Sequence, residues 1–169
     1  MIRNMLLCIL CLLPVSCGYH FAGMGDAVDP SIRDVYVAPF KNSTSEPLIE
    51  NYVRNAFVEQ LRYGGRFSVA GSSDTCDAEI SGTVNAIRTS RATYRVAESA
   101  VEDRVSMSLD ITFQDSTGEI LWSRRNYSGT ETYRVTDDAS ATERSRKDAL
   151  RKCAEDLAEK AYRDMMSGF

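Results

Sequence analysis

Five apolar residues, Val105, Met107, Leu109, Ile111 and Phe113, take every second position of one stretch. Ser106, Ser108, Asp110, Thr112 and Gln114 stand between them. Side chains along a strand point alternately to opposite faces, so this segment is a strand with one dry face and one wet face. A sheet built on such a strand needs cover on one side only. The helices of the chain must therefore lie together on that side.

Two segments have the periodicity to supply that cover. Ile49, Tyr52, Val53, Ala56, Phe57 and Leu61 recur at three- and four-residue spacing, which predicts an amphipathic helix. Ser45 is its candidate N-cap, Glu46 and Pro47 suit a first turn, and Gly64-Gly65 is its stop. A second, longer helix is predicted from Ser140 to Met166. Ala149, Leu150, Cys153, Leu157, Ala161 and Met165 form its apolar stripe, and Gly168 closes it. Further strands are read at Val35–Phe40, at Arg66–Ala70, at Ala78–Thr89 with a bulge near Ala86-Ile87, and from Ile120 toward Tyr127. Asp115-Ser116-Thr117-Gly118 is hairpin turn chemistry. The order predicts an α+β two-layer sandwich, with two helices packed on one face of a mostly antiparallel four- to five-stranded sheet. The apolar fraction of 43% is enough for such a core in one domain.

The N-terminus stands apart. Arg3 precedes the apolar run Met5–Leu13, which has the length of an export-signal core and is too short for a membrane span. Leu13-Pro14-Val15-Ser16-Cys17 resembles a bacterial lipobox, with Pro14 where a leucine is usual. The expected division is residues 1–16 as signal peptide, 17–31 as a lipidated tether and 32–169 as the single domain. Cys17 would carry diacylglycerol on sulfur and an acyl chain on its freed amine, and two or three chains anchor firmly where one is marginal. Gly18, in place of the Asp that retains enterobacterial lipoproteins in the inner membrane, points to the outer membrane. Cys8 and Cys11 leave with the signal, so only Cys76 and Cys153 remain in the domain, either paired or as a loop thiol and a small core residue.

Several function classes lose their residues. His20 is the only histidine and lies outside the domain, which removes Ser-His-Asp, Cys-His and histidine-metal sites from the fold. No Gly-rich phosphate loop of Walker or dinucleotide form is present. The acid pairs Glu102-Asp103 and Asp137-Asp138 read as solvated charge or helix capping. A net charge of -4 disfavours nucleic acid as a partner. The chain is expected not to be an enzyme, and to need neither metal nor cofactor beyond the acyl groups on Cys17.

Three features in order carry a resemblance: Cys17-Gly18-Tyr19-His20-Phe21, then Val35–Phe40 followed by Lys41-Asn42-Ser43-Thr44-Ser45-Glu46-Pro47, then Asp115–Trp122. Together they resemble the lipopolysaccharide-assembly lipoprotein LptE family in its non-enterobacterial form. The resemblance implies an outer-membrane lipoprotein on the periplasmic face. It would sit as a plug in an LptD-like β-barrel and bind lipopolysaccharide during assembly into the outer leaflet. The competing reading is a structural or scaffolding envelope lipoprotein that binds proteins and no glycolipid. A phosphorylated glycolipid calls for arginines. Arg88, Arg91 and Arg95 form the candidate patch, around Tyr94, with Arg91 and Arg95 on one face and Arg88 on the other. The bland counterpart is a solvated strand edge.

Overall fold

A computed structural model describes residues 28–93 and 101–168. The chain order is β1 (Asp34–Val37), β2 (Lys41–Asn42), α1 (Ile49–Gly64), β3 (Ser68–Val69), β4 (Ala78–Thr93), β5 (Val101–Asp115), β6 (Ile120–Val135) and α2 (Ala139–Ser167). The strands form one sheet in the order β3-β1-β4-β5-β6, and β2 pairs with β4 beyond the end of β1. Both helices contact each other and cover one face of it. The fold is thus the expected α+β sandwich, with six strands rather than four to five.

Two parts of the sheet follow different rules. The long strands β4, β5 and β6 follow one another in the chain and pair antiparallel. The short strands β1, β2 and β3 run parallel to their neighbours. The cause is α1, which carries the chain back so that β1 and β3 are neighbours of one βαβ unit. The strand expected at Val35–Phe40 is split, because Ala38-Pro39-Phe40 leaves the ladder before β2 resumes it at Lys41.

Val105, Met107, Leu109, Ile111 and Phe113 of β5 are each at most 1% exposed. Burying them contributes roughly 10 kcal/mol by area, an upper figure because unfolded chains already hide some surface. They meet Ile49, Val53, Phe57 and Leu61 of α1 and Leu150, Cys153, Leu157 and Met165 of α2 in one core. Ala154, Ala158 and Ala161 are fully buried on α2 and let that helix lie close to its neighbours.

The helix ends show what local rules can and cannot specify. α2 is capped by Asp138, whose Oδ1 accepts from the Ser140 and Ala141 backbone N–H groups at 2.8 and 3.3 Å. It ends at Gly168 in the left-handed region, φ 72°. α1 ends as expected at Gly65, φ 66°, but begins at Ile49 and not at the Ser45 cap. Leu48 precedes it at φ 64°. The preceding loop is held instead by Asn42, which donates to the Glu46 carbonyl at 2.8 Å and to Glu50 Oε2 at 2.9 Å. Glu46 is also clasped by Arg146 of α2 through two 2.9 Å bonds, with both side chains largely buried. That pair fastens α2 to the entrance of α1, a long-range contact that competes with the local cap.

Cys76 and Cys153 are both free. Cys76 is half-buried and donates to the Ser73 carbonyl at 3.2 Å. Cys153 lies in the core, where burial pushes its thiol up to about 11, so it is a neutral packing group at ordinary pH.

Gly129 of β6 faces α2. A Cβ there would stand 2.9 Å from Leu157 Cγ and 3.2 Å from Cys153 Sγ. Gly129→Val should therefore force α2 off the sheet, costing about 2 kcal/mol. Thermal unfolding followed by circular dichroism should show a loss of roughly 4–8 °C, and an unchanged midpoint would refute this packing.

Candidate functional site

The covered face ends where the apolar ladder of β5 ends; the other face is bare. Register places Ser106, Ser108, Asp110, Thr112 and Gln114 of β5 on the bare side, opposite Val105 to Phe113. Paired residues in an antiparallel ladder share a face. Arg88 pairs with Ser106, which pairs with Thr130 of β6, so these three form a row across the bare face. The next row toward the β4–β5 tip is Ser90, Arg104 and Thr132. Then comes Glu102 beside Arg134. Arg91 pairs with Asp103 and so lies on the side of Val105.

The arginines named from the sequence are therefore divided between faces. Arg88 and Arg91 are both exposed on β4, on opposite sides of the sheet, as alternation requires. The segment between the long strands is not a loop at these positions, because β4 stays paired to β5 through Thr93. On its other side β4 has no described strand partner beyond Val84, so Arg88 and Arg91 do stand on a strand edge. Arg95, with Tyr94, lies outside the described residues, and so does Cys17. Arg104 and Arg134 were not singled out by sequence reading. Their signal exists only after the register of three strands is known, since they are distant in sequence from Arg88.

Two bulges interrupt the ladder at one level. Val84 pairs with Leu109 and Ala86 with Ser108, which leaves Asn85 as the extra residue of β4. On the other side of β5, Tyr127 pairs with Leu109 and Arg124 with Ile111, so Asp110 faces both Arg125 and Asn126. Asn126 takes φ 51°, and its N–H donates to Asp110 Oδ1 at 2.8 Å. An asparagine thus stands at a bulge on each strand flanking the middle of β5. The first bulge was legible in the lost alternation near Ala86-Ile87; the second was not.

On the helix side several polar groups are committed to structure. Tyr127 Oη donates to Asp164 Oδ2 at 2.7 Å, and burial together with that carboxylate raises the phenol well above its ordinary range. Lys160 lies 4.7 Å above the same ring. Glu143 is held below the usual carboxylate range by the Arg146 guanidinium that bonds it. Among the described residues, no cluster of histidine, cysteine, aspartate and glutamate side chains could hold a metal.

The profile of the lipopolysaccharide-assembly family LptE matches residues 32–165, which is nearly the whole domain. The chain belongs to the LptE family. It is a family of lipoproteins without enzymatic activity. Among solved structures, a lipoprotein from Caulobacter crescentus is similar at 18% identity and a TM-score of 0.56, covering 77% of this chain and 89% of its own. A protein from Chlamydia trachomatis is similar at 9% identity and a TM-score of 0.54, covering 80% of this chain and 96% of its own. Rare lipoprotein B from Shewanella oneidensis is similar at 13% identity and a TM-score of 0.49, covering 79% and 95%. No curated protein sequence matches. At these identities the first two structures speak for the fold alone. Family membership gives this LptE member a role in lipopolysaccharide assembly. No described helix is long and apolar enough to cross a membrane.

The left-handed backbone at Asn126 gives a local check on the second bulge. Asn126→Gly should leave stability nearly unchanged, since glycine adopts that region freely. Asn126→Ala should cost about 1 kcal/mol for placing a Cβ there. Equal melting points for the two variants would contradict the bulge.

Proposed function

We propose that this protein is an outer-membrane lipoprotein that plugs an LptD-like β-barrel and binds lipopolysaccharide as it is placed in the outer leaflet. The observation that carries the reading is the family match across residues 32–165. The site chemistry supports it. A chain of net charge -4 presents arginines at exposed positions of β4 that take no part in the core. Arg88 and Arg91, with Arg95 next along the chain, would meet phosphate through charge-assisted bonds. A one-sided sheet with a polar outer face also suits the wet lumen of a large barrel. Catalysis is not needed for any of these tasks, and the family is not an enzymatic one.

The reading is tested on the intact outer membrane. Affinity-tagged full-length protein should bring down a large heat-modifiable β-barrel, and Arg91→Ala combined with Arg95→Ala should weaken lipopolysaccharide binding without unfolding the domain. Recovery of the tagged protein with other envelope proteins and never with a barrel would favour a scaffold instead.

The membrane attachment is proposed at Cys17, on the lipobox-like sequence before it. Cys17→Ala should abolish metabolic labelling with palmitate and release the protein from the membrane fraction. Continued labelling would assign the acyl group elsewhere.

A further inference from the structure

The twin asparagine bulges frame an open depression on the bare face of the sheet, of about 440 Å³. Its lining includes Asn85 and Arg88 of β4, Ser106 and Ser108 of β5, and Asn126, Ser128 and Thr130 of β6. None of these side chains makes a hydrogen bond or ion pair among the described residues; the bond at Asn126 is from its backbone N–H. This is unlike the rest of the fold, where Asn42, Asp77, Asp115 and Asp138 are each bonded to backbone groups. Two amides, four hydroxyls and one guanidinium are thus aimed at solvent together.

Bulges re-aim side chains and gather beside binding sites. Here they place one amide at each flank of β5, so that donors and acceptors surround the depression rather than lining one strand. Three strands and two to three rows give a footprint of roughly 10 by 14 Å, room for a disaccharide lying flat. Amides and hydroxyls offer paired donors and acceptors, which is what sugar hydroxyls require. Arg88 at the rim, with Arg104 diagonal to it at about 8 Å, can each take a phosphate oxygen pair. Neither arginine has an ion-pair partner among the described residues. Apart from Ala86 and Met107, which belongs to the other face, the lining has no apolar residue, so nothing in the depression suits an acyl chain.

We infer that this depression binds the phosphorylated sugar headgroup of the glycolipid and leaves its acyl chains outside. The inference rests on the lipopolysaccharide reading above and names the part of the ligand that the sheet face recognises. It moves the recognition surface from the β4–β5 tip to the middle of the bare face.

The test uses the full lipidated chain in detergent micelles. The competing probe is a water-soluble, fully deacylated, bisphosphorylated glucosamine disaccharide, with its dephosphorylated form alongside. The phosphorylated probe should displace lipopolysaccharide, and the dephosphorylated one should do so about tenfold less well, a charged hydrogen bond being worth at least that factor. Asn126→Gly, which keeps the backbone, and the double variant Arg88→Ala with Arg104→Ala should each weaken probe binding about tenfold or more at an unchanged melting point. Arg124→Ala, outside the depression, should bind as the wild type does.

If the wild type binds lipopolysaccharide but the soluble probe does not compete and the variants are unchanged, this inference is overturned and the broader reading stands. If the variants lose binding to phosphatidylglycerol vesicles just as much, the surface is an unspecific anion patch and the sugar assignment fails. If the wild type binds no lipopolysaccharide, both fall.

Discussion

Burial of Val105, Met107, Leu109, Ile111 and Phe113 beneath the helices commits the other side of β5 to water. The residue period of a strand leaves no choice in this, because a slip of one position would bury Ser106 and Asp110 and expose the whole ladder. Every neighbouring feature inherits the decision. β4 and β6 must pair in the register that puts Ile80, Val84, Trp122 and Tyr127 on the same dry side. The helices must stack on that side. The surface available for recognition is then whatever the even-numbered residues of β5 and their cross-strand partners present.

The lid over the ladder is fitted by small residues and locked by one charged pair. Gly129 and the buried alanines set how near α2 can come to β6. Arg146 sets where along the sheet it stops, since its fork grips Glu46 at the start of α1. Such a pair adds little net stability after desolvation, but it defines one arrangement of the two helices. Leu48 in its left-handed conformation follows from the same constraint, because the loop is tied at Asn42 and at Glu46 before the helix can begin.

The parts of this fold readable from the chain were those set by local periodicity. The ladder of β5, both helix stripes, the Gly65 and Gly168 stops and the Asp115 turn all repeat a short-range rule. The parts set by contacts distant in sequence were not readable. β2 is two residues long and exists only because Lys41 and Asn42 meet Thr83 and Val84. The start of α1 was misplaced because Arg146, one hundred residues away, holds Glu46 out of the helix. The candidate site divides the same way. Arg88 was visible as one of a cluster, whereas its neighbours Arg104, Ser128 and Asn126 become neighbours only through the register of three strands.

A net acidic chain can still present a site for anions if its charges are segregated by use. At the end of the sheet where β4 begins, Asp29 and Asp77 accept backbone N–H groups and Asp115 accepts the Thr117 hydroxyl and backbone N–H groups, and those bonds hold their carboxyls below the ordinary range. That end lies roughly 30 Å from Arg88, ten residues up the strand. Screening reduces exposed charges to little effect beyond about 10 Å at 0.1 M salt, so those acids do not govern the field at the depression. On the bare face itself two acids flank the depression: Glu102 stands beside Arg134, and the Asp110 carboxylate is turned to the Asn126 N–H. The bulge that places the asparagine amide therefore also fixes one Asp110 oxygen against the backbone, so the same backbone irregularity orients both an amide and a carboxylate at this level of the sheet.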